Sequence, residues 1–212
     1  MDEVNLIIAG VGGQGSVLAS HLVAMAAIEE GLHARVGETF GAAMRGGSVA
    51  SHVRIGKNVF APLVPEGGAE IVVALEPLEG LRNAVKYLAK GGLLLTNTRP
   101  LTPVDVNIGR AEYPSMEAIE EGVKKLGGRV IAIDATSLAQ QAGNVRTVNV
   151  VMLGALAGAG GLPISVESLK RVIRENVPKG TEDVNLRAFE LGLNAVREGL
   201  RGEGTHSRRS SP

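Results

Sequence analysis

Apolar positions come as short unbroken runs in the first half of this chain and as helical stripes in the second, with glycine and proline marking most of the changes. Residues 3–10 read as a buried strand, and 15–30 as a helix with Leu18, Leu22, Met25 and Ala26 on one stripe. Gly31 stops that helix as a C-terminal glycine. His33 to Val36 is a second strand, followed by a polar, glycine-rich loop from Gly37 to Ser48. Val49, Ser51, Val53 and Ile55 then alternate with Ala50, His52 and Arg54, which predicts a half-exposed strand showing His52 and Arg54 to solvent. Gly56-Lys57-Asn58 reads as a turn into Val59-Phe60-Ala61, closing a hairpin.

Residues 71–75 form another buried strand, 78–88 a helix, and Gly91-Gly92 opens a strand over 93–96. Pro100 and Pro103 mark a surface loop. Ser115 caps a helix over 116–126, with Glu117 in its first turn, and 130–133 is a strand. Helical periodicity covers 135–142, 148–159, 166–175 and 184–200; the few charges from Val148 to Leu156 suit a core helix or a subunit contact. This order predicts a single α/β domain over residues 1–201, three layers deep (α/β/α), on a mixed, mostly parallel sheet. The polar segment 202–212 is expected to be a disordered tail.

Composition narrows the function. The 212 residues include only three Phe, two Tyr and no Trp, so the core is aliphatic, as in a sheet sandwiched between helices. Basic and acidic side chains balance at 22 each, which argues against nucleic acid as a partner. The acidic start entering a strand at once does not read as a signal peptide, and no apolar run approaches the roughly 18–20 residues of a membrane span. A cytoplasmic protein is expected. Cysteine is absent, so the chain has no thiolate nucleophile and no cysteine-ligated cluster or zinc.

Chemistry concentrates in two glycine-rich segments. Gly10-Val11-Gly12-Gly13-Gln14-Gly15 lies between a strand and a helix, where free N–H groups favour an anion. Gly10, Gly12 and Gly15 fit the dinucleotide fingerprint, with Glu38 at the distance of the ribose-binding acid; a tight packing turn is the other reading. In the second segment Arg45, a permanently charged fork for phosphate or carboxylate, stands beside Gly46, Gly47 and Ser48. Glu76, Glu79 and Arg82 read as helix-start charges and an ion pair rather than catalysts.

Taken together, Gly10–Gly15, Arg45-Gly46-Gly47-Ser48 and Ser51-His52-Val53-Arg54-Ile55 resemble the gamma-type subunit of 2-oxoacid:ferredoxin oxidoreductases, and most of all its indolepyruvate branch. Residues 75–82, Asn97-Thr98-Arg99-Pro100, 149–154 and 185–192 support the likeness, which spans about 4–200. The loop Thr39–Met44 departs from the indolepyruvate pattern, and the related branches act on pyruvate or 2-oxoglutarate. The resemblance implies an accessory subunit of a complex that converts a 2-oxoacid, coenzyme A and oxidised ferredoxin into an acyl-CoA, carbon dioxide and reduced ferredoxin. It places thiamine diphosphate, Mg²⁺ and the iron–sulfur clusters on a larger alpha subunit. This chain supplies no catalytic residue and no metal ligand. Its cofactor-binding residues are then Gly12, Gly13, Gln14, Gly15, Arg45, Gly46, Gly47 and Ser48, facing the partner's cleft. A free-standing NAD- or FAD-binding protein is the alternative from another class.

Overall fold

A computed structural model describes residues 3–41, 46–102, 106, 108–109 and 112–206, with side chains described up to residue 200. Six strands form one sheet: β1 (Glu3–Val11), β2 (Ala34–Phe40), β3 (Ser48–Gly56), β4 (Ala69–Ala74), β5 (Leu88–Asn97) and β6 (Arg129–Ile133). Their order is β2-β3-β1-β4-β5-β6. The pairs β1/β4, β4/β5 and β5/β6 are parallel, whereas β3 runs antiparallel to both β1 and β2. The sheet is therefore mixed and mostly parallel, as its sequence order implied.

The pleat sends alternate residues to opposite layers. Leu6, Ile8, Val53, Ile71, Val73 and Leu95 pack under α1 (Ser16–Glu29), α4 (Ala135–Ala142), α5 (Val148–Ala159), α6 (Val166–Asn176) and α7 (Glu182–His206). Ile7, Ala9, Val72, Ala74 and Leu94 pack under α2 (Pro77–Tyr87) and α3 (Met116–Lys125). Three layers result. Helix α5 is buried along Val150–Leu156, between the sheet and α7, which is why its sequence shows no polar face. It is a core helix within this chain. Helix α7 continues through His206, into the segment read as tail; residues 207–212 lie outside the described ones. None of the described helices is long and apolar enough to cross a membrane.

Four local readings change, the first being that β5 starts at Leu88, so that Gly91-Gly92 lie inside the strand rather than before it. β2 runs on to Phe40 and pairs with β3 from Ala34↔Ile55 to Phe40↔Val49, so the hairpin is β2–β3. Residues 59–61 form no strand; instead this segment folds back over β3, where Arg54 Nη1 donates to Ala61 O at 3.1 Å. His52 is consequently buried, at 1% exposure, rather than solvent-facing. Its Nδ1 accepts the Val64 N–H at 3.1 Å and its ring meets Tyr87 edge-on with centroids 5.0 Å apart. The alternation in β3 failed as a guide to exposure because both of its faces are covered.

Burial, with a smaller contribution from Lys86, holds the His52 pKa below its ordinary 6.5. The unfolded chain therefore takes up a proton at this position more readily than the folded one as pH falls below 6.5. The stability associated with neutral His52 is present above that value and is lost on acidification toward the folded pKa. Urea unfolding between pH 7 and 5 is expected to show this decline in the wild type. An equal slope in His52→Gln would exclude His52 as its source.

Candidate functional site

Strands β1, β4, β5 and β6 run in the same direction, so the segments leaving their carboxyl ends gather along one edge of the sheet. Ligands of open α/β sheets bind outside that edge. Both glycine segments are there because the β1/β3 ladder ends at Val11↔Ser48. Beyond the ladder, Gly12 N–H donates to Gly47 O at 2.8 Å and Gly46 N–H to Gly12 O at 3.3 Å. Two turns separated in sequence thus form one surface. Gly13 (φ +107°) and Gly15 (φ +84°) hold the left-handed backbone that this turn requires. Among the described residues a Cβ on Gly13 or Gly46 would meet nothing within 4 Å, so neither Cα is covered, although the Gly46 N–H is already given to Gly12 O. Gly15 caps α1 without a side-chain hydrogen bond, and Asn149 Nδ2 donates to Gly15 O at 3.2 Å.

Two predicted site residues also serve the fold. Gln14 Oε1 accepts the Val11 N–H at 2.7 Å and its Nε2 donates to Leu75 O at 3.3 Å, clamping the turn to the end of β4. Ser48 Oγ donates to Glu79 Oε2 at 2.5 Å. Gly12, Gly13, Gln14, Gly15, Gly46, Gly47 and Ser48 are brought together, whereas Arg45 falls in 42–45, outside the described residues.

The N-terminal turn of α2 carries two buried carboxylates. Glu76 caps the helix by accepting the Glu79 N–H at 2.8 Å, accepts the Leu101 N–H at 3.3 Å, and receives the Tyr113 hydroxyl. Burial and that carboxylate push the Tyr113 phenol well above its usual range, so it remains a donor. Glu79 Oε1 accepts from Arg82 Nη1 at 2.6 Å, the ion pair read from the sequence.

Beside the first glycine turn lies a cleft of about 430 Å³, lined in part by Gly13, Gln14, Asn97, Arg99, Leu101 and Arg146. Arg99 Nε donates to Asp134 Oδ2 at 3.1 Å; this bond, with those from Ser137, lowers the Asp134 carboxyl to about 2. Asn97 Nδ2 donates to Leu75 O and Thr136 Oγ1, while its buried Oδ1 has no partner among the described residues. Asn97, Arg99 and Arg146 were not among the predicted site residues. Their signal was position: the first two follow an apolar strand, and the carboxyl end of a parallel strand is where a site gathers. Among the described residues no three His, Cys, Asp or Glu side chains group to hold a metal ion.

The dinucleotide reading meets a topological obstacle. It requires a parallel strand beside β1 that ends in an acid, but antiparallel β3 separates β2 from β1. Glu38 therefore sits on the edge strand, 3.6 Å from His21, and the acid after β4, Glu76, is spent capping α2.

The fold is a mostly parallel α/β domain whose two glycine turns form one surface at the carboxyl edge of the sheet. Residues 5–195 match the pyruvate ferredoxin/flavodoxin oxidoreductase family, and the chain belongs to it. It is 48% identical over 201 residues to the indolepyruvate oxidoreductase subunit IorB of Thermococcus kodakarensis, covering 94% of this chain and 99% of that one. The common subunit gamma of the pyruvate/ketoisovalerate oxidoreductases of the same organism is 30% identical, covering 87% and 92%. The crystal structure of pyruvate oxidoreductase subunit PORC from Thermotoga maritima shares the fold, with a TM-score of 0.71 at 24% identity over 92% of this chain and 97% of that one.

Proposed function

We propose that this chain is the accessory subunit of a cytoplasmic indolepyruvate:ferredoxin oxidoreductase, inactive alone, which completes the active-site cleft of a larger partner. The observation that carries this reading is 48% identity to subunit IorB across nearly the full length of both chains. The lower identity, 30%, to the pyruvate/ketoisovalerate gamma subunit favours the indolepyruvate branch over that one. With no cysteine, the chain does not fit a cysteine-ligated iron–sulfur cluster, and on this reading the clusters, thiamine diphosphate and Mg²⁺ are assigned to the partner. Thiamine diphosphate supplies the carbanion chemistry of 2-oxoacid decarboxylation.

The contribution of this subunit is binding. The uncovered turn at Gly13, beside an α1 N-terminus free of acidic residues, suits the phosphates of CoA or a substrate carboxylate. Arg45, next in sequence to Gly46, adds a fixed positive charge. Gly12, Gly15 and Gly47 shape the turns, and Gln14 and Ser48 hold them closed around that surface.

Co-expression with the larger subunit tests the assignment. Viologen reduction is expected to require both chains and CoA, and to favour indolepyruvate and phenylpyruvate over pyruvate and 2-oxoglutarate. Full activity of the larger chain alone would overturn it. Arg45→Ala in the assembled complex should raise the Michaelis constant for CoA or the 2-oxoacid roughly tenfold or more, the effect of one charge-assisted hydrogen bond. Unchanged constants would remove Arg45 from the site.

A further inference from the structure

We infer that Glu79, which lies outside the glycine turns, is a positioning residue for the ligand they hold, acting through Ser48; this rests on the binding role proposed above. Ser48 ends the β1/β3 ladder where the second turn begins, so its side chain is a point at which α2 can control that turn. Its Oγ donates to Glu79 Oε2, and its backbone carbonyl accepts the Gly41 N–H at 2.8 Å. Glu79 itself cannot drift. It is 4% exposed, its other oxygen is held by Arg82, its N–H is bound by Glu76, and its carbonyl accepts Asn83 Nδ2 at 2.9 Å. Helix α2 is seated against the sheet at Gly80, where a Cβ would come within 2.6 Å of Ala74 Cβ. The chain sheet–α2–Glu79–Ser48 therefore references the glycine surface to the rigid core, which pre-organises the shape of the two turns before a ligand arrives.

The test uses the assembled two-subunit enzyme and four variants. Glu79→Ala and Ser48→Ala should each raise the Michaelis constant for CoA about fivefold, the worth of one hydrogen bond, with kcat within about twofold. Their double variant should be no worse than either single one. Glu79→Gln should stay near wild type, because its amide can donate to Ser48 Oγ while its carbonyl accepts from Arg82. Amide exchange on the full chain supplies a second readout: the Gly12 and Gly46 N–H groups should exchange about fivefold faster in the two alanine variants and not in Glu79→Gln. Unaltered constants accompanied only by a lower melting temperature, multiplying effects in the double variant, or unaltered exchange would each overturn the proposal. A wild-type complex indifferent to CoA would instead sink the subunit reading, leaving amide exchange to decide the role of Glu79. Should Glu79→Ala not fold, Ser48→Ala carries the same expectations.

Discussion

Gly192→Ala is expected to cost about 3 kcal/mol of folding stability or more, a large part of the roughly 5–15 kcal/mol available to a domain. A Cβ at Gly192 would stand 1.9 Å from Val151 O, and one at Gly154 would stand 1.9 Å from Phe189 O. The obstacle on each side is backbone of the facing helix, so no rotamer change relieves it. The helices α5 and α7 would have to separate, and α5 is the buried helix on which one whole layer rests. The effect should also reach the site, because α5 carries Asn149, the residue bonded to Gly15 O. Gly199→Ala is the control: nothing among the described residues lies within 4 Å of its added Cβ, and helix propensity should make it neutral or stabilising by up to about 1 kcal/mol. Urea unfolding compares the two. A Gly192→Ala midpoint equal to that of Gly199→Ala would show that the helices are not in the contact described.

Glu76→Ala should follow with a loss of about 3 kcal/mol. It removes the cap of α2 and strips the acceptor from the Leu101 N–H and the Tyr113 hydroxyl. The Tyr113 hydroxyl left unpaired costs about 1–3 kcal/mol and the cap about 1 kcal/mol, whereas exposed Leu101 can turn its N–H to water. Leu101 lines the cleft beside the first glycine turn, so ligand affinity in the assembled enzyme should fall together with stability. Glu76→Gln is expected to be milder, since it keeps one acceptor oxygen but cannot serve all three donors. A Glu76→Ala chain as stable as wild type would mean that water replaces the lost acceptor.

Much of the fold was legible in the sequence because aliphatic runs, helical stripes and glycine positions record one-dimensional periodicities. Strands β1, β4 and β6 and helices α1 to α6 fall within a residue or two of their expected bounds. The misreadings occurred where a partner distant in sequence sets the outcome. The Gly37–Phe40 stretch looked like loop, yet it is β-paired because β3 offers a free edge to it. His52 looked exposed because alternation cannot reveal that residues 57–64 cover the second face of β3.

The glycine motif shows the same division. Its residues announced a turn between strand and helix, and its spacing alone also allowed a dinucleotide. By itself the sequence determined the α/β class, where the glycine turns fall, and, through zero cysteines, that the chain offers no cysteine ligand to a cluster. Only the tertiary structure decided that the two glycine turns are one surface, that β3 stands between the strand of Glu38 and β1, and that Gln14, Ser48 and Glu79 hold the turns in place. The reason is physical: a backbone period is written residue by residue, whereas the partner of a polar side chain is chosen by which strands lie next to each other in the sheet.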